Sequence, residues 1–468
     1  MASREPRPSW VLDTEEVVRA TGGTLLGGDM SLVFSGVSTD TRTLRPGELF
    51  VALKGSRYDG HDFWREALRR GARGLLLAHL PQGLHLEEVP KTVSVILVRD
   101  TLTALGELAR AFKRRRGFWA LAVSGSCGKT TTKEMCAAVL ARRYSVFRNP
   151  GNYNNLVGLP LSVLSMPEEA RFGVFELGIS LPGEMARLVE ILEPEAALLT
   201  NVRPAHLEGL GSLEGVYSEK MQLYRRLPAG ARIIVNRDEE EIFRQAQDLP
   251  YEKITYGLHI EAEVRAEDLR VRPEGTEFTL HVEGRRVGEG RLRFLGEHFV
   301  RNALSAVAAG LLYGVPPEEA LAALAELSPL PGRLFPLRTR RYFLLDDSYN
   351  ANPGSVYEAL RVFWEVGQGF AKRIAILGDM RELGPEAEAL HESVGRMAGR
   401  LCHQVLAVGE MARVVAREAE KMGARARAYP SVEELLSELE LPKGAAVLVK
   451  GSRAVGLERV VQRLREED

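Results

Sequence analysis

Four apolar segments in the middle of the chain, "FWALAVS" (118–124), "FGVFELG" (172–178), "AALLTNV" (196–202) and "ARIIVN" (231–236), are too short for helices and too apolar for half-exposed strands. Helix-period stretches such as "KEMCAAVLARR" and "EMARLVEIL" lie between them. A strand buried on both faces is typical of a parallel sheet, and a parallel neighbour needs a crossover long enough to be a helix. The alternation therefore predicts an α/β protein built on a doubly wound parallel sheet.

The first of these strands runs into "AVSGSCGKTTTK" (122–133). The common phosphate-binding loop, G-x-x-x-x-G-K-[ST], would need glycine where Val123 stands, so the match fails by one residue. What survives is a tighter Gly125-Ser126-Cys127-Gly128-Lys129-Thr130 turn between a strand and a helix. Such a turn aims backbone N–H groups and the positive end of a helix at one point, which suits phosphate oxygens. Lys129 would then bridge the β- and γ-phosphates of ATP, and the Thr130 hydroxyl would ligate Mg²⁺. The same residues also suit an ordinary strand-to-helix turn carrying a surface lysine.

With 468 residues, two to four domains are expected. Hydrophobic residues make up 45% and charged residues 27%, with a formal net charge of −1, so nothing points to nucleic acid. Three cysteines, none in metal-type spacing, argue against a disulfide framework or zinc site. Residues 1–20 lack the apolar core of a secretory leader and no long apolar run occurs, so a cytoplasmic protein without membrane insertion is expected. From about Val11 to Asp100, short strands surround one helical stretch, "HDFWREALRRGA", and a helix follows at "ALGELARAFKRRR". From Glu263 to Leu295 the alternation in "EFTLHVEG" predicts a small antiparallel sheet, and two helices follow. "PLPGRLFPLRTR" reads as a linker around Leu330 to Arg340. Beyond it "YFLLDD", "RIAILGD", "QVLAVG" and "AAVLVKG" each precede a helical pattern, predicting a second, smaller parallel α/β domain.

At the shortened Gly-Ser-x-Gly-Lys-Thr loop the chain resembles the Mur ligases, the ATP-dependent amide-forming enzymes of peptidoglycan synthesis. "STDTRTLRPGELFVALKGSRYDGHDF" is similar to the family's UDP-sugar-binding module. "NPGNYNNLVGLP", "FELGISLPGE", "NVRPAHLEGLGS", "GEHFVRNALSA", "PGRLFP", "DDSYNANPGS", "LGDMRELG" and "VKGSR" follow in family order. That order is the one of the member joining D-Ala-D-Ala to UDP-N-acetylmuramoyl-tripeptide. The resemblance implies a UDP-sugar-binding domain (1–115), a central ATP-binding domain (116–335), a Rossmann-like C-terminal domain (336–468), and a monomer acting on these two small molecules.

It also assigns roles. Gly125, Ser126, Cys127, Gly128, Lys129, Thr130 and Thr131 would hold the triphosphate. Glu176, by itself more often a solvated charge or helix cap, becomes a ligand of a second Mg²⁺. His206, by itself equally a buried histidine, falls near that metal. Lys220 in "YSEKMQLY" would be carbamylated by CO₂ and so become an anionic ligand, which needs a lowered amine pKa. The family pattern more often has glutamate where this chain has Gln222. His298 and Asn302 share a helix face and would meet adenine. Arg333, Asp347, Tyr349 and Asn350 would approach ribose and phosphates. Asn152 and Asn155 would border the acceptor substrate. Thr39, Asp40 and Arg42, with Lys54 and His61 nearby, would contact the uridine diphosphate. Three alternatives remain. They are the ligase adding the diamino acid, whose Asp-Asn-Pro-Arg motif is absent, a folate polyglutamate ligase, which lacks the UDP module, and a P-loop kinase or nucleotide-binding regulator.

Overall fold

The structure, a computed structural model, describes residues 12–466. Val11 and the residues before it, part of the stretch read for a leader, lie outside the described residues.

The first α/β unit carries a five-stranded sheet in the order 24–27, 94–97, 74–77, 49–51, 37–38, parallel except at its first strand. The helix Thr101–Arg116 follows, capped by Asp100, whose carboxylate accepts from Thr103 N–H at 2.7 Å. It ends at Gly117 in the left-handed conformation (φ 63°), with four basic residues in its last turn. Leu105, Leu108 and Phe112 on this helix join one apolar core with Val17 of the first unit and Leu188 and Ile191 of the next. The helix is thus shared between two units.

The central sheet has nine strands, ordered 285–292, 275–282, 264–272, 252–257, 232–236, 196–199, 119–124, 172–176, 146–148. Strand Trp119–Ser124 lies inside the sheet, third from one edge, parallel to Phe172–Glu176 and Ala196–Leu199. Ala120 to Ser124 are fully buried, as a strand covered on both faces requires. All four expected strands are present. The antiparallel segment expected from Glu263 to Leu295 is also present; it extends the parallel sheet, attached where Tyr256 and Gly257 pair with Val264 and Arg265. Above the sheet the helix Glu297–Leu312 packs closely on the helix Lys129–Leu140. A Cβ on Gly310 would stand 2.7 Å from Val139 Cγ1.

The C-terminal sheet has six strands, ordered 335–338, 342–347, 445–450, 373–378, 404–408, 425–429, all parallel except the first. Its four apolar strands match expectation. Two edge strands were not foreseen. Phe335–Arg338 lies within the stretch read as linker, where Pro336 is tolerated because an edge strand can spare an N–H. "RARAY" (425–429) alternates exposed arginines with half-buried alanines. No helix among the described residues is long and apolar enough to cross a membrane.

Candidate active site

The strand Trp119–Ser124 ends at Gly125, whose φ of 148° disfavours a side chain and whose Cβ, if present, would lie 1.9 Å from Thr200 Oγ1. Only glycine lets the loop pass so close to the neighbouring strand's exit. The following residues are then pinned to that exit. Ser126 N–H donates to Asn201 O (3.0 Å), Cys127 N–H to Asn201 Oδ1 (3.0 Å), and Thr200 Oγ1 to Cys127 O (2.7 Å). Gly128, at φ 82°, turns the chain into the helix Lys129–Leu140, with the Asn302 amide packed against it. Lys129 Nζ folds back to donate to Gly125 O at 2.9 Å. Thr130 begins the first turn with Thr131 buried beside it. The helix N-terminus and one ammonium thus face a cavity of about 650 Å³ between the central and C-terminal sheets.

Glu176 ends the adjacent strand and is buried. Its carboxylate accepts from Thr130 Oγ1 at 2.8 Å and from Asn154 Nδ2 at 2.8 Å. Both partners are neutral, so the buried anion forms no ion pair among the described residues, an arrangement that calls for a cation. Carboxylate, hydroxyl and amide oxygens, with His206 lining the same cavity, form a donor set that fits Mg²⁺. Lys220 is 1% exposed and donates to Gly125 O at 3.0 Å. Burial, and then the nearby Lys129 ammonium, push its pKa well below the ordinary lysine value. Gln222 is half-buried, and its amide bonds Ser218 O and Arg226 Nε rather than Lys220.

The C-terminal unit and the segment leading into it close the other wall. Arg333 Nη2 donates to Thr130 Oγ1 at 2.9 Å, and its guanidinium stacks 4.3 Å over the Tyr349 ring. Asp347 accepts from Leu334 N–H at 3.0 Å and from Lys450 Nζ at 2.6 Å. Burial raises its pKa, against the pull of Lys450. Lys450 also donates to Asn350 O at 2.9 Å. His298 lines the cavity beside Asn302, and desolvation followed by Arg361, Arg301 and Lys450 lowers its pKa to about 3, so it is neutral at pH 7.

Asn152 and Asn155 line this cavity as well. Asn155 also caps the next helix, its Oδ1 accepting from Gly158 N–H at 2.8 Å, and the amide on Glu176 is Asn154's. The first unit's residues stand apart from this cavity. Asp40 and Arg42 pair with each other at 2.6 Å, with Arg42 exposed and Thr39 half-buried beside them. Lys54 is exposed, and its backbone forms an isolated antiparallel β-bridge with that of Asp59. His61 is buried: Nε2 accepts from Ala78 N–H at 2.9 Å, which leaves the proton on Nδ1, bonded to Asp59 at 2.6 Å. Asp59, His61 and His79 place three potential ligand atoms within 4.8 Å of one another, but those bonds occupy both His61 nitrogens and make the cluster a structural peg. Sequence reasoning missed Asn154, Thr200, Asn201, Arg203 and Lys450. All lie in motifs already singled out, where composition marks the segment but not the side chain that turns inward.

A strand–loop–helix phosphate cradle and a buried carboxylate thus face one cavity between two α/β units, with a buried lysine of lowered pKa bonded to the cradle at Gly125 O. Family models match three consecutive stretches: the Mur ligase family catalytic domain (33–113), the Mur ligase middle domain (123–310) and the Mur ligase glutamate ligase domain (332–453). The chain belongs to the Mur ligase family. It is 37% identical over 451 residues to the UDP-N-acetylmuramoyl-tripeptide--D-alanyl-D-alanine ligase of Escherichia coli (strain K12), covering 95% of this chain and 96% of that one. The ligase of the same name from Bacillus subtilis (strain 168) is 35% identical over 441 residues, covering 93% and 94%. A crystal structure of MurF from Acinetobacter baumannii superposes with a TM-score of 0.88 at 29% identity, covering 98% of this chain and 100% of that chain. The MurF ligase of Thermotoga maritima in complex with ADP gives 0.79 at 27% identity, covering 92% and 97%.

Proposed function

We propose that this chain joins D-Ala-D-Ala to the terminal carboxylate of UDP-N-acetylmuramoyl-tripeptide with ATP. The products are UDP-N-acetylmuramoyl-pentapeptide, ADP and phosphate, in peptidoglycan precursor synthesis. The observation that carries this reading is identity spanning nearly the whole chain with ligases of that name.

Condensing a carboxylate with an amine requires activation. The tripeptide carboxylate attacks the γ-phosphorus, ADP leaves, and an acyl phosphate results. The dipeptide amine then adds to the acyl carbon, a proton is lost, and the tetrahedral intermediate expels phosphate as the amide forms. Lys129 and the amides at the N-terminus of its helix hold the triphosphate, and Arg333, beside Thr130, adds positive charge opposite the transferred group. Two Mg²⁺ ions would supply neutralisation of the crowded oxygens. Thr130 would hold the first ion, and Glu176, His206 and a carbamate on Lys220 would hold the second. His298 and Asn302 would face adenine. Asp347, Tyr349 and Asn350 would face ribose and phosphates. Asn152 and Asn155 would border the acceptor, while Thr39, Asp40, Arg42 and Lys54 would meet the UDP. His61 would shape that site from below. We read the protein as a monomer acting in the cytoplasm.

A phosphate-release assay tests the reading. Release from ATP and UDP-muramoyl-tripeptide should require D-Ala-D-Ala and yield a product heavier by one dipeptide less water. Release that ignores the dipeptide, or a phosphorylated product, would favour a kinase.

A further inference from the structure

Glu382 follows the C-terminal strand Arg373–Gly378, and His206 follows the central strand Ala196–Leu199. Both are non-glycine residues in left-handed backbone, at φ 63° and 54°. Each such residue costs about 1 kcal/mol or more and persists only where its surroundings impose it. The two meet across the domain boundary: the Glu382 carboxylate bonds His206 Nδ1, and the Glu382 carbonyl accepts from Glu208 N–H at 3.3 Å. Gly384, also left-handed, sets its own backbone against that turn, where an added Cβ would lie 3.6 Å from Glu208 Cα.

With the Glu382 side chain 55% exposed, the ion pair alone would stabilise little. Strained backbone on both sides of a single side-chain contact asks for another reason. His206 lines the cavity, and with Nδ1 occupied its Nε2 is the nitrogen left for a ligand. A carboxylate on the far nitrogen fixes the tautomer and ring direction of a metal-binding imidazole and raises its basicity.

We propose that Glu382 is a positioning residue for His206, so that docking of the C-terminal domain completes the second divalent-cation site. This rests on the reading of His206 as a ligand of that cation. The test is Mn²⁺ binding to the full chain with a non-hydrolysable ATP analogue, followed by electron paramagnetic resonance, for wild type, His206→Ala, Glu382→Ala and Glu382→Gln. Glu382→Ala should weaken the weaker Mn²⁺ site about 10- to 100-fold, as His206→Ala does, and leave affinity for the analogue within about twofold. Glu382→Gln, whose amide oxygen can still accept from Nδ1–H, should recover most of that loss. An unchanged site in Glu382→Ala beside a weakened one in His206→Ala overturns the inference. Equal loss of analogue and Mn²⁺ binding in both Glu382 variants overturns it too, as general loosening. An unchanged site in His206→Ala overturns the ligand reading itself, and the inference with it.

Discussion

Lys220 shows how burial sets chemistry at a single residue. A protonated ammonium there would sit in a desolvated site beside Lys129, which shifts the balance toward the neutral amine. Because its folded pKa lies below the unfolded one, the folded state binds fewer protons, and this group makes stability rise with pH up to the ordinary lysine value of 10.5. The neutral amine is also the form that takes up CO₂. Lys220→Ala should be inactive and partly restored by formate or acetate; full activity of that variant in CO₂-free buffer would exclude the carbamate. Lys129→Ala removes the ammonium facing the cavity. It should lower kcat by about 10²- to 10³-fold while leaving UDP-substrate affinity intact, as isothermal calorimetry and steady-state rates would show. Near-normal turnover would refute its assignment.

Among the elements, the loop 125–130 depends on one missing side chain. Gly125→Ala combines a backbone conformation open mainly to glycine with a Cβ pressed on Thr200, and should cost roughly 2–5 kcal/mol in urea unfolding along with most ATP binding. Adding Thr200→Ala should return the steric part; no recovery would show that backbone strain alone dominates. This loop was legible in the sequence because a strand, glycines, Lys-Thr and a helix each have a local signature. So were the buried parallel strands, whose continuous apolar runs suit no exposed position. The edge strands were not: Pro336 and the arginines of "RARAY" are tolerated only because one side of each strand lacks a neighbour, a fact of the assembled sheet. Asn154 and Asn155 could not be ranked either, since one step along an irregular loop decides which amide meets Glu176 and which caps a helix. That His61 is held by Asp59 and by the Ala78 N–H was not legible either, since Ala78 is distant in sequence.

At the scale of the whole molecule, cradle and cover come from different units: Asn352 Oδ1 stands 3.3 Å from Cys127 Sγ, and Arg333, in the segment leading into the C-terminal unit, reaches Thr130. An acyl phosphate survives only where water is excluded, so this docked arrangement should be favoured by substrates. Small-angle scattering should show a smaller radius of gyration when an ATP analogue and UDP-muramoyl-tripeptide are added together; an unchanged radius would argue against closure. The helix Thr101–Arg116, greased on one flank by the leading lobe and on the other by the middle one, has a further implication. Those two lobes cannot be cut apart without baring a wet-averse stripe on whichever fragment keeps it. Excised pieces would clump, and heat would melt the pair as a single cooperative block.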